Sequence, residues 1–144
     1  MALQATTTDD QGATGTLDLA QARTQSALAD LRPALPMQFT FRWRNRHIIA
    51  RIVERDERPM LRLVTDLGVV PFSAEDADRR HSLLSLTRPS NTPPLGHYAV
   101  TDRQRLMYCA EKALPDQVTG SVVVANVATT LLAARPYLSP TAAL

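Results

Sequence analysis

Hydrophobic and polar residues change period four times along this chain, and each change marks a new kind of element. From Leu17 to Arg32 the residues are good helix formers. Leu17, Ala20, Thr24, Leu28 and Leu31 recur at helical spacing until Pro33 and Pro36 stop the pattern. Thr16 is placed to cap this helix, with Asp18 in its first turn. Its apolar stripe is narrow and alanine-rich, which predicts close packing against a sheet or another helix. Then Met37, Phe39, Phe41 and Trp43 alternate with Gln38, Thr40, Arg42 and Arg44, the two-residue period of a half-buried strand. A turn at Asn45-Arg46 leads to a second strand over His47–Glu54. The charged turn Asp56-Glu57-Arg58-Pro59 leads to a third over Met60–Leu67, closed by Gly68. Connections this short allow only antiparallel pairing, so residues 37–70 form a meander.

Ser73-Ala-Glu-Asp76 has the form of an N-terminal capping signal, and a helix is expected from about Ala74 to Leu84 or Leu86, with Ala77, His81 and Leu84 on one side. The proline-rich stretch Arg88–Pro94 must be a loop. Gly96–Thr101 and Arg105–Lys112 form a second hairpin around Asp102-Arg103-Gln104. Leu106, Tyr108 and Ala110 face one way, and Met107, Cys109 and Glu111 the other. The segment from Thr119 to Arg135 is β-branched at its start, but its length and the spacing of Val124, Val127, Ala128, Leu131 and Leu132 favour a helix that Pro136 ends. The resulting fold class is α+β, in the order α-β-β-β-α-β-β-α, a twisted antiparallel sheet with packed helices. One domain spans 17–138, between a disordered N-terminal tail at 1–16 and a flexible C-terminal tail at 139–144.

At 144 residues, with 44% hydrophobic and 21% charged, the chain has the size and composition of one globular domain. No apolar run reaches the roughly 20 residues of a membrane span, and the N-terminus lacks the basic start and apolar stretch of a secretory leader. The single cysteine, Cys109, excludes an internal disulfide and suits a reducing cytoplasm. Fifteen arginines stand against one lysine, Lys112; residues 37–67 hold seven arginines and four acids. That surplus permits a nucleic-acid partner without arguing for one.

Chemical constellations are few. His47, His81 and His97 stand alone, without metal-ligand spacing, and no phosphate-cradling loop or nucleophile elbow occurs. Cys109 falls at an alternating strand position where a buried, inert thiol is expected, Lys112 being the nearest positive charge in sequence. Glu75, Asp76 and Asp78 fit a helix N-terminal cluster better than a catalytic pair. No catalytic residue, cofactor or metal is therefore expected. The most suggestive polar feature is Arg42, Arg44 and Arg46, which on one continuous strand share a face and offer a contact for anions or nucleic acid, or simply a solvated outer face. Leu83, Leu84 and Leu86 are candidates for dimer or partner contact, and equally for the core.

The element order resembles the YbjN-like family, which shares the type III secretion chaperone fold. The similar stretches are a leading helix into Met37–Trp43, then Ser82–Asn91, Gly96–Asp102, and Leu106–Pro115 into a last helix ending at Ala134–Leu138. This resemblance implies a homodimer that binds segments of another protein without catalysis or a nucleotide. The chain further resembles a Deinococcus branch of that group associated with a single-stranded-DNA-binding protein of the DNA-damage response, which implies that protein as a partner. The alternative expectation is direct nucleic-acid binding through the arginine-bearing strand.

Overall fold

The computed structural model describes residues 21–139. Within it the element order is a helix over 21–30 (α1), then β1 (Met37–Trp43), β2 (Arg46–Arg55), β3 (Arg58–Val69), α2 (Ser73–Ser85), β4 (His97–Val100), β5 (Arg105–Ala113) and α3 (Gly120–Ala134). The five strands form one antiparallel sheet in the order β1-β2-β3-β5-β4. The α+β class and element order match the sequence expectation. The proposed cap at Thr16, the start of α1 and the 1–16 tail lie outside the described residues, as do 140–144 of the proposed C-terminal tail.

The meander is set by two tight turns. Arg44 and Asn45 have φ of 49° and 62°, and Asp56 and Glu57 have 53° and 63°. Two consecutive left-handed residues match the natural twist of a hairpin, and Asn and Asp tolerate that conformation best among residues with side chains. The first turn therefore falls one residue earlier than Asn45-Arg46. The third connection is the expected Asp102–Gln104 loop, with Gln104 at φ 60° and Thr101 N–H donating to the Arg105 carbonyl at 2.9 Å. A bulge between Asp66 and Gly68 shifts the register where β3 leaves the sheet centre.

Helices cover one face of the sheet. Val123, Val127 and Leu131 of α3 pack on Ile48, Ala50, Ile52, Leu61 and Leu63 of the central strands. Ala50 and Ala110 are fully buried, and their small side chains let the helix sit close. Thr119 caps α3, its hydroxyl accepting from Val122 N–H at 3.2 Å, which fixes the start of a helix whose valine-rich first turns disfavour it intrinsically. Here α1 is held: Gly120 N–H donates to the Leu31 carbonyl at 3.0 Å, and a β-carbon at Gly120 would stand 2.8 Å from the Leu28 carbonyl oxygen. Only Leu28 of the described α1 residues is sheltered, so close packing against a layer is confined to that one contact.

The expected stripe of α2 is corrected. Ala77 and His81 are exposed, and Leu83 points inward onto Val70 and Leu106. The reason is a break at Asp76 (φ −156°, ψ 91°), whose carboxylate accepts from Arg79 N–H at 2.9 Å. Asp76, not Ser73, thus caps the longer part of the helix, while Glu75 accepts from Phe72 N–H at 3.1 Å. The proline-rich loop contains a single 3₁₀ turn, Pro89–Asn91, and Asn91 ties it back to the Ser85 carbonyl.

Tyr98, Tyr108 and Tyr137 cluster at the far end, with ring centroids 5.3 and 6.2 Å apart. Tyr98 donates to the Tyr137 carbonyl and Tyr108 to the Leu95 carbonyl, both at 2.6 Å. Gly96 must lack a side chain, because its φ is +74° and a β-carbon would meet the Tyr108 hydroxyl at 2.7 Å. Burial raises the pKa of Tyr98 and Tyr108 above the ordinary phenol value. The unfolded chain therefore releases these protons first, near pH 10, so stability is intact below that pH and declines above it. Tyr108→Phe should cost about 1 kcal/mol at neutral pH by stranding the Leu95 carbonyl. It should also flatten the loss of stability between about pH 9 and 11, read from urea midpoints across that range.

Candidate protein-docking groove

The apolar stripe on α3 is wider than the face that α3 buries. Val127 and Leu131 are buried, but Val124 (53% exposed), Ala128 and Leu132 (64%) form a parallel i, i+4, i+8 row that no described residue covers. That row faces the sheet's edge strand. On β1, Phe39, Phe41 and Trp43 project to the helix side as expected, yet remain half-exposed because α3 is seated over the central strands. Phe39 and Phe41 stack with centroids 5.9 Å apart. Together the row and the aromatics line an open groove of about 400 Å³, floored by Val127 and Leu131. No strand pairs with the outer edge of β1 among the described residues.

The two ends of β1 differ in charge. Beyond Trp43, a depression of about 510 Å³ is lined by Arg44, Asn45, Arg46, Arg135, Leu138 and Ser139, with Trp43 as the wall shared with the groove. The Arg44 guanidinium lies 5.1 Å from the centre of the Trp43 ring. Ion pairs among the described residues join Arg55 and Arg62 to Glu111 and Arg105 to Asp66, leaving Arg44, Arg46 and Arg135 without a carboxylate. Before Met37, the depression around Leu35 holds Glu54, Glu57 and Asp116 beside Arg32.

The predicted arginine row is corrected by this geometry. Because Arg44-Asn45 is the turn, Arg46 pairs with Trp43 and faces the helix side, whereas Arg42 pairs with His47 on the open face. Arg42, Arg44 and Arg46 do not share a face; Arg44 and Arg46 are instead joined by Arg135 from the 3₁₀ turn Arg135–Tyr137. No local sequence signal connects Arg135 to the β1–β2 turn, and only the fold brings it there. The groove row was visible in part, since Val124, Ala128 and Leu132 belong to the stripe read from spacing.

Leu83 is 3% exposed and belongs to the core, with Leu84 and Leu86 packed half-buried against the same cluster. Leu83 is therefore corrected from a contact candidate to a core residue. The exposed apolar side chains near the start of α2 are Val69 (57%) and Phe72 (59%).

On the open face, Thr40, Ile49, Val64, Cys109 and His97 line up across all five strands. Burial pushes the Cys109 thiol up, against the pull of the Arg62 charge, so it stays protonated at neutral pH. Lys112 serves the other face, donating to the Thr129 hydroxyl at 3.2 Å. Glu111 is held below the usual carboxylate range by its hydrogen bonds from Arg62, the Nε bond being 2.8 Å. His47, His81 and His97 are all exposed and lie on different elements or rows. Among the described residues no three His, Cys, Asp or Glu side chains come together as a metal-binding group, and no helix is long and apolar enough to cross a membrane.

No protein-family model matches the chain, and no curated protein matches it in sequence. The groove must then be judged on its own geometry. If α3 is exposed along Val124–Leu132, Leu132→Glu should change stability by less than about 0.5 kcal/mol. Leu131→Ala, one residue away but 6% exposed, should cost about 2–5 kcal/mol in urea unfolding.

Proposed function

We propose that this protein is a non-enzymatic, homodimeric protein-binding accessory or chaperone-like factor that holds a partner segment in the groove between β1 and α3. The observation that carries this reading is the bare apolar row of α3 facing half-exposed aromatics on an unpaired edge strand. Such a site accepts either a strand added to β1 or an amphipathic helix laid along it. An open apolar surface of this kind is uncommon on a chain that works alone. The YbjN-like resemblance, with the secretion-chaperone fold it implies, leads to the same expectation, and we place the protein in the cytoplasm. A single-stranded-DNA-binding protein of the DNA-damage response is the partner that resemblance suggests. A second copy would dock near the start of α2, where Val69 and Phe72 are exposed.

A second reading, direct nucleic-acid binding, is favoured by one observation: Arg44, Arg46 and Arg135 converge without carboxylates next to an aromatic ring. It now rests on these three rather than on Arg42.

Trp43 is the sole tryptophan and forms part of the groove wall, so its emission reports occupancy. Titrating the full chain with amphipathic peptides of varied charge should shift that emission to the blue. Val124→Glu with Leu132→Glu should abolish the shift while leaving the urea midpoint in place; binding that survives both substitutions would place the partner elsewhere. Sedimentation at micromolar concentration should give a dimer that Phe72→Glu dissociates. A wild-type chain that sediments as a monomer would remove the dimer from this reading.

A further inference from the structure

We propose that the partner segment is acidic at one end and apolar along its length, and that it binds with the acidic end against Arg44, Arg46 and Arg135. This rests on the groove being the docking site and adds the chemistry of what it holds.

The argument is charge complementarity fixed by three elements of the fold. The β1–β2 turn supplies Arg44, the first residue of β2 supplies Arg46, and the 3₁₀ turn after α3 supplies Arg135. Each forked guanidinium matches a carboxylate, and none has an acidic partner among the described residues. The opposite end of β1 carries Glu54, Glu57 and Asp116 against Arg32, which repels a carboxylate-rich terminus. Between the two ends lie only Phe39, Phe41, Trp43, Val124, Val127, Ala128, Leu131 and Leu132 in the groove lining. A segment with acids throughout would bury charge there without a partner, and a wholly apolar one would leave three arginines unanswered. Apolar side chains leading into an acidic end, or into a chain-terminal carboxylate, satisfy both regions. If that segment is a helix, its C-terminal end also favours the arginine side through the helix dipole.

The test uses the full chain and fluorescein-labelled peptides about as long as α3, followed by anisotropy. One peptide ends in aspartates and glutamates, a second has these replaced by asparagine and glutamine, and a third by lysine. The acidic-ended peptide should bind about tenfold more tightly than the neutral one and more tightly still than the lysine one. Arg44→Gln, Arg46→Gln and Arg135→Gln together should erase that preference, so that the acidic-ended and neutral peptides bind alike. Raising salt from about 50 to 300 mM should have the same effect as the substitutions, since exposed pairs are screened.

Equal affinity for all three peptides would overturn the charge assignment and leave the groove as the docking site. Binding by none of them would overturn both. Salt-sensitive binding of oligothymidylate through the same arginines, with no peptide bound, would overturn both in favour of nucleic acid. Circular dichroism of the triple variant at matched temperature guards against misreading an unfolded chain as a loss of preference.

Discussion

The seating of α3 on the central strands is the constraint from which the rest follows. Ala50 and Ala110 leave hollows under the helix, and Ile48, Ile52, Leu61 and Leu63 close around Val123, Val127 and Leu131. Full burial of side chains of this size contributes roughly 1.5–3 kcal/mol each. The helix cannot move toward β1 without opening that core. Every apolar residue it presents on its β1 side is consequently left over, and so is the inner face of β1 itself. A wider sheet-facing surface, or an α1 packed along β1, would have closed the groove; the described part of α1 is instead pinned at Gly120.

The same seating organises the basic end. Where α3 stops, Leu138 is buried and Tyr98 donates to the Tyr137 carbonyl, so the chain after the helix is held rather than loose. Arg135 sits between these anchors and the last turn of α3. Its position against the β1–β2 turn is therefore set through the tyrosine cluster, whose Tyr137 closes the same 3₁₀ turn. Arg44 is held by its turn geometry and by the Trp43 ring. Side chains with fixed roots lose less freedom on binding than a flexible basic tail would.

Much of this was legible in the chain, and the failures have physical causes. The alternation Met37–Trp43 and the pattern Leu106–Ala110 gave both strand identity and facing, because a two-residue period survives any packing above it. The turn between β1 and β2 was misplaced by one residue, and that slip moved Arg46 to the opposite face and dissolved the arginine row. Asp76 breaking α2 redirected the helix so that Leu83, rather than Leu84 with His81, faces the core. The groove was half-legible: the α3 stripe held too many apolar positions for one covered face, but nothing local said which would stay bare. Arg135 joining Arg44 and Arg46 is a product of tertiary structure alone, 88 residues of chain lying between it and Arg46.

An edge strand with an aromatic inner face is also a hazard, since any extended apolar segment can pair with it. The opposite edge, β4, avoids this by being four residues long, but β1 has seven. What limits misuse of β1 is the charge at its two ends. Charges on a rim add little to affinity because water competes for them, but they penalise a segment of the wrong sign or orientation. Opposite signs at the two ends make the penalty directional: an acidic-ended segment reversed in the groove sets its carboxylates against Glu54, Glu57 and Asp116 and leaves the arginines without them. On the proposed reading the apolar lining supplies the hold and the ends supply the choice of partner, a division that lets one shallow groove be both sticky and selective.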